Sequence, residues 1–169
     1  MQTPRFTIRS ARFTDAGDIF NLVRRHPDEL VMRSKSDILQ NADRFLVAEL
    51  DGAVVGVVSW SILPELSAGK HPSVEMKTLA VDSPARGLGV GRALVEAGLA
   101  RIKEYKPDQV IVLTFSPEFF RKFGFVEVAK EKLMHKLYTG CLNCTRYENP
   151  FTCPEIAMSL VLNPGSEAV

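Results

Sequence analysis

The segment from Leu79 to Arg92 limits the fold more than any other part of the chain. It reads Leu-Ala-Val-Asp, then Ser-Pro-Ala, then Arg86-Gly87-Leu88-Gly89-Val90-Gly91-Arg92, with glycine at every second position of its last part. Val74 to Val81 has the apolar pattern of a strand, and the residues from Arg92 to Lys103 have that of a helix. The glycines therefore join a strand to a helix N-terminus. There, successive backbone N–H groups can turn into one concavity, and the helix dipole favours an anion such as phosphate. A plain connecting loop, whose glycines only permit left-handed turns, is the alternative. No Gly-Lys-Ser or Gly-Lys-Thr is present, and the third glycine comes too soon for the dinucleotide fingerprint, so Walker and Rossmann loops are set aside.

Around this unit the chain alternates sheet and helix. Phe6 to Ala11 has the two-residue period of a first strand. Thr14 as N-cap, with Asp15 and Asp18 behind it, opens a helix through Ile19, Phe20, Leu22 and Val23 that His26-Pro27 stops. Ser34, with Asp37 three residues on, caps a shorter helix through Ile38, Leu39 and Ala42. Arg44 to Leu50, Asp51-Gly52 and Ala53 to Leu63 form a hairpin signal. Val110 to Phe115 is a short buried strand, and Ser116-Pro117-Glu118 starts a brief helix that Gly124 ends. Phe125 to Val128 and Ile156 to Leu162 give the last strands. No repeat, linker or low-complexity tract interrupts this order, so residues 1–169 read as one α/β (α+β) domain with a cysteine-containing segment at 135–155.

The 21 Lys and Arg against 20 Asp and Glu leave a net charge of +1, which argues against a dedicated nucleic-acid partner. No apolar run is long enough to span a bilayer, and the N-terminus lacks the pattern of a signal peptide, so a cytoplasmic protein with no membrane partner is expected. Three cysteines, Cys141, Cys144 and Cys153, are too few and too close for a disulfide framework. With His135 they could complete a tetrahedral structural zinc set; free thiols packed in a loop are the other reading, since only one close Cys pair is present.

Leu79 to Asp82 followed by Arg86 to Gly91 resembles the GNAT acetyltransferases, as does Phe119-Phe120-Arg121-Lys122-Phe123-Gly124-Phe125. The resemblance implies the GNAT fold: a mixed, mostly antiparallel central sheet of six to seven strands flanked by about four helices. It implies acetyl-CoA as cosubstrate, with Arg86, Gly87, Leu88, Gly89, Val90, Gly91 and Arg92 holding the pyrophosphate. Leu79, Ala80 and Val81 would then pair with the pantetheine arm. Within that family the chain is most similar to the short, stand-alone N-acetylglutamate synthases. Phe6 to Arg9, Glu29 to Ser34, Glu75 to Val81 and His135 to Tyr138 carry this closer likeness. It implies transfer of an acetyl group to the α-amino group of L-glutamate, the first step of arginine biosynthesis. Feedback by arginine through a kinase domain is not expected, and a homodimer is compatible with the likeness.

The chemistry narrows the candidates. An amine must lose a proton before attacking a thioester, and Glu75, on the strand before the glycine loop, is the candidate base. Strand alternation would put Glu75, Lys77 and Leu79 on one face. An ordinary exposed strand glutamate is the competing reading. Ser116 could donate to the leaving thiolate, although serine before Pro-Glu also reads as a plain N-cap; Tyr138 is a second donor candidate. Arg33 is the first choice for a substrate carboxylate, with Lys77 and Arg121 as companions. Other readings remain open: a GNAT acting on a polyamine, an aminoglycoside or a protein N-terminus, or a noncatalytic acyl-CoA-binding or zinc-binding module.

Overall fold

Two consecutive residues with positive φ, Asp51 at 51° and Gly52 at 80°, close the hairpin of the Asp-Gly signal, as a two-residue turn of matching twist requires. The computed structural model describes residues 5–67, 69–133, 144, 146–149 and 151–163. In chain order it contains β1 (Thr7–Ser10), α1 (Ala16–Arg24), α2 (Lys35–Gln40), β2 (Phe45–Leu50), β3 (Ala53–Ser67) and β4 (Pro72–Val81). Then follow α3 (Val90–Lys103), β5 (Gln109–Thr114), α4 (Pro117–Arg121), β6 (Val126–Glu127) and β7 (Ile156–Val161). The strands form one seven-stranded sheet in the order β1-β2-β3-β4-β5-β7-β6. β4 and β5 run parallel, and the ladders β1/β2, β2/β3, β5/β7 and β6/β7 are antiparallel. This is the mixed sheet expected from the sequence.

The residues gather into two compact units, Met1–Trp60 with Met76–Arg101 and Ser61–Glu75 with Ile102–Val169. In the first, Ile19, Leu22 and Val23 of α1 and Ile38 of α2 pack on Phe45, Val47, Val57 and Ala80. The helical spacing in α1 and the alternation in β2 are what turn these side chains to one core, each of the larger ones contributing roughly 1.5–3 kcal/mol by burial. In the second, Leu66, Ile111, Leu133 and Ala157 form the core. Beside it Gln109, fully buried, donates to Ser73 Oγ at 2.9 Å and accepts from Ser159 Oγ at 2.7 Å, so its amide is satisfied at both ends.

α2 begins as expected, with Ser34 Oγ accepting from the Asp37 N–H at 3.0 Å. The start of α1 differs. Thr14 is not its N-cap: a 3-10 turn, Phe13–Asp15, precedes it, and the Asp15 carboxylate reaches back to the Arg12 N–H at 2.6 Å. Asp15 also accepts from Arg9 Nη1 and Nη2, at 2.7 and 2.9 Å, and Arg9 bridges on to Glu49. The acceptor at the helix entry is thus the Asp15 carboxylate, not the threonine hydroxyl.

Hydrogen bonding from Arg9 holds the Asp15 carboxyl below its ordinary value. A depressed carboxyl pKa adds stability that is fully present above the unfolded value, about 3.9, and is lost as pH falls through the folded one. Asp15→Asn is therefore expected to destabilise the protein by about 2–3 kcal/mol at neutral pH, since Arg9 would keep Glu49 as its one carboxylate partner among the described residues. In urea unfolding the gap between wild type and variant should close below pH of about 4. A gap of unchanged size at low pH would show that the ion pair is not its origin.

Candidate active site

Close approach of α3 to the sheet sets where the glycine loop stands. A Cβ on Gly56 of β3 would meet Leu94 Cδ1 and Val90 Cγ1 of α3, each at 2.9 Å, and one on Gly98 would meet Met76 Cε at 3.0 Å. At Gly56 any side chain would press on Val90 and Leu94, whereas at Gly98 it would meet only the flexible end of Met76 at so short a distance. Next to Gly56, β3 carries a bulge: the register passes from Ala48↔Gly56 to Glu49↔Val54, leaving Val55 over. The Val55 carbonyl accepts the Asp82 N–H at 2.8 Å, anchoring the chain as it leaves β4.

From that anchor the loop runs through a 3-10 turn, Ser83–Ala85, to Arg86. Arg86 donates from Nε to the Val81 carbonyl at 3.4 Å and stands 3.3 Å through Nη2 from His26 Nδ1. Gly87 and Gly89 have φ of 80° and 83°, and nothing lies within 4 Å of where a Cβ on either would stand. α3 starts at Val90, and the Ala93 N–H donates to the Gly89 carbonyl at 3.0 Å. The amides of Val90, Gly91 and Arg92 thus belong to the helix end that has no intrahelical acceptor. An open, glycine-walled concavity at the positive end of a helix suits a diphosphate. Arg92 lies outside this arrangement in part, since its Nε pairs with Glu96 at 2.8 Å on the exposed face of α3.

In the same unit β4 does not keep the expected alternation. Thr78 has φ 55°, a left-handed conformation that β-branched residues rarely adopt. Met76 packs toward Gly98 of α3, whereas Ala80 joins the core under α1 and α2. Residues four apart in a regular strand share a face, so the strand turns over between them. The expectation that one face carries Glu75, Lys77 and Leu79 is corrected for Leu79, because the left-handed residue before it breaks the period. Lys77 is half-buried, and its carbonyl accepts from Ser59 Oγ at 3.3 Å.

Arg33 is fixed from three sides. Its Nε donates to Thr78 Oγ1 at 3.0 Å, its Nη1 to Asp37 Oδ2 at 2.6 Å, and its Cζ lies 5.3 Å from the centre of the Phe45 ring. The side chain is 11% exposed. Among the described residues no protein group accepts from Nη2. A buried guanidinium with one edge unused is suited to a carboxylate from outside the chain. Thr78 escaped the sequence reading as a site residue, since a threonine in the middle of a strand carries no local signal of such a role.

In the second unit Glu75 is 8% exposed and stands in register with Ile111 of β5. It is not the ordinary exposed strand glutamate of the competing reading. Ser116 follows β5, is exposed and occupies the N-cap position of α4 as the cap reading expects, but its hydroxyl makes no capping bond to the helix. Its backbone N–H donates to Thr114 Oγ1 at 2.9 Å. α4 is held by an edge-to-face array of Phe119, Phe120, Phe123 and Phe125. Arg121 is engaged by Glu118 and, at 3.6 Å, by Glu127 on an exposed surface, unlike the sheltered Arg33.

His135, Tyr138 and Cys141 lie outside the described residues. Cys144 and Cys153 are free and half-buried, and burial pushes the Cys153 thiol up. Among the described residues no group of three or more His, Cys, Asp or Glu side chains gathers to hold a metal. The zinc set rests on sequence spacing alone.

Residues 12–125 match the Acetyltransferase (GNAT) family, and the chain belongs to that family. It is an N-acetyltransferase that draws on acetyl-CoA. It is 33% identical over 153 residues to an uncharacterized N-acetyltransferase of Chlorobaculum tepidum, covering 89% of this chain and 93% of the relative. To the amino-acid acetyltransferase of Mycobacterium tuberculosis it is 34% identical over 132 residues, 73% of this chain and 70% of that one. The crystal structure of N-acetylglutamate synthase from Neisseria gonorrhoeae complexed with coenzyme A and N-acetyl-glutamate aligns with a TM-score of 0.76 and 19% identity. That alignment covers 96% of this chain and 36% of the synthase, and at such identity it establishes likeness of fold. Among the described residues no helix is long and apolar enough to cross a membrane.

Proposed function

We propose that the protein acetylates the α-amino group of an amino acid, L-glutamate, as the first step of arginine biosynthesis in the cytoplasm, and that residues 1–169 act as one GNAT domain. The observation that carries this reading is Arg33: a sheltered guanidinium, oriented by Thr78, Asp37 and Phe45, with Nη2 unclaimed. Polyamines and aminoglycosides bring further positive charge and would be repelled there, whereas an amino acid brings a carboxylate. Lys77 is the proposed second cation for the other carboxylate of glutamate.

In this reading Arg86 to Arg92 hold the diphosphate of acetyl-CoA by backbone N–H groups, and Leu79 to Val81 pair with its pantetheine arm. Bound there, acetyl-CoA supplies an activated thioester. Glu75 accepts the proton of the acceptor amine, directly or through a water, and the Ser116 hydroxyl donates to the departing thiolate. Transfer is direct, and orientation of the two substrates supplies much of the acceleration.

Release of free coenzyme A thiol from acetyl-CoA, followed against a panel of amines, tests the proposal. L-Glutamate is expected to be the preferred acceptor over spermine, aminoglycosides and peptides. Arg33→Ala should raise its KM by about tenfold or more, as for loss of a charge-assisted bond. A panel led by spermine or by a peptide N-terminus would reject the assignment.

A further inference from the structure

The hydroxyl of Thr78 helps to orient Arg33, and the left-handed backbone that carries it has yet to be accounted for. A β-branched residue held at φ 55° inside a strand is strained and persists only where its surroundings impose it. Thr78 is 8% exposed, and its hydroxyl accepts from Arg33 Nε at 3.0 Å. The turnover of β4 between Met76 and Ala80 is what presents that hydroxyl on the side of Arg33 and Phe45. In a strand of unbroken period, residue 78 would share the face of Met76, toward α3.

A guanidinium is a planar fork, so the group bound at Nε decides which edge remains for a ligand. Asp37 takes Nη1 at 2.6 Å from the other side. With both positions claimed, rotation about the guanidinium is blocked and Nη2 is left facing a fixed direction.

We propose that Thr78 is a positioning residue for the acceptor: its left-handed backbone delivers Oγ1 to Arg33 Nε and so aims Nη2 at the carboxylate of the incoming amino acid. This rests on the reading that Arg33 receives that carboxylate. Thr78 touches neither the reacting nitrogen nor the thioester, and its effect passes through Arg33.

The test uses steady-state kinetics of the full chain with Thr78→Val, Thr78→Gly and Thr78→Ser. Valine keeps the shape and removes the acceptor. Glycine removes it too but relieves the backbone, so a folded variant is available even where valine fails to fold. Both are expected to raise KM for L-glutamate about tenfold, leaving kcat and KM for acetyl-CoA within about twofold. Serine, which keeps Oγ, should restore the wild-type KM. In an Arg33→Ala background the valine change should add nothing, since the two act on one contact.

Three outcomes overturn the proposal. One is a glutamate KM that ignores glycine and valine at residue 78 while responding to Arg33→Ala; Thr78 is then structural and Arg33 keeps its role. Another is a parallel loss of kcat and both KM values that serine does not rescue. The third is a glutamate KM indifferent to Arg33→Ala itself, which removes the reading of Arg33 along with that of Thr78.

Discussion

Glutamine in place of Glu75 is expected to lower kcat by about 10² to 10⁴ while leaving KM for acetyl-CoA near its wild-type value. The amine of an amino acid is protonated at neutral pH and cannot attack until a base removes the proton. Glu75 lies at the end of β4 that pairs with β5, is 8% exposed, and stands in register with Ile111. Glutamine has nearly the same volume and still accepts hydrogen bonds, so the core beside Ile111 is not opened. What it lacks is the capacity to take a proton. The rate of the variant should therefore climb more steeply with pH than that of wild type, as solvent supplies a growing share of free amine. A variant kcat within about threefold of wild type would remove Glu75 from the chemistry.

Gly89→Val should weaken acetyl-CoA binding by at least about tenfold, read by calorimetry or by KM, because a β-branched residue at this φ costs roughly 1–2 kcal/mol or forces the loop to another shape. Gly89 has φ 83° and its carbonyl receives the first helical bond of α3. The space around its missing Cβ is open, so the loss would come from backbone conformation and from filling the concavity, not from a clash with the protein. Gly17, within α1 and equally open, is the internal control. At that helical position alanine should be harmless or gain about 0.5–1 kcal/mol. Unchanged affinity for acetyl-CoA in Gly89→Val would mean that the glycines serve the turn alone.

Much of the architecture could be read from local patterns, and the reasons are visible in particular elements. Asp51-Gly52 announced its hairpin because few residue pairs accept positive φ twice in succession. Ser34 announced α2 because its hydroxyl and the Asp37 amide are only three residues apart. The start of α1 was misread at Thr14, since the Asp15 carboxylate is captured by Arg9, a residue from another element. The face assignments along β4 failed at Thr78 for a similar reason. Threonine is a favourable strand residue by propensity, and nothing in its neighbours signals a left-handed turn.

The site divides the same way. The likeness to the substrate loop of the synthases made Arg33 the first choice, with Lys77 and Arg121 as companions, but residue type alone does not rank the three cations. Their environments separate them: Arg121 is engaged by Glu118 and Glu127 at the surface, whereas Arg33 is gripped by Thr78, Asp37 and Phe45. Ser116 read first as a cap and does stand at the N-cap of α4, and only the structure shows that its hydroxyl makes no capping bond there.

Local physical chemistry alone was enough to place the glycine loop between a strand and a helix, because its requirement for positive φ and open N–H groups is met by residue type within a few positions. It was likewise enough for the order of strands and helices, whose periods are short-range. Which way Thr78 and Arg33 point, how closely α3 approaches β3 and β4, and whether Glu75 is sheltered were decided only in the tertiary structure. Those properties depend on atoms distant in sequence, such as Arg33 Nε beside Thr78 Oγ1 and the missing Cβ of Gly56 beneath Leu94, which meet only once the chain has folded.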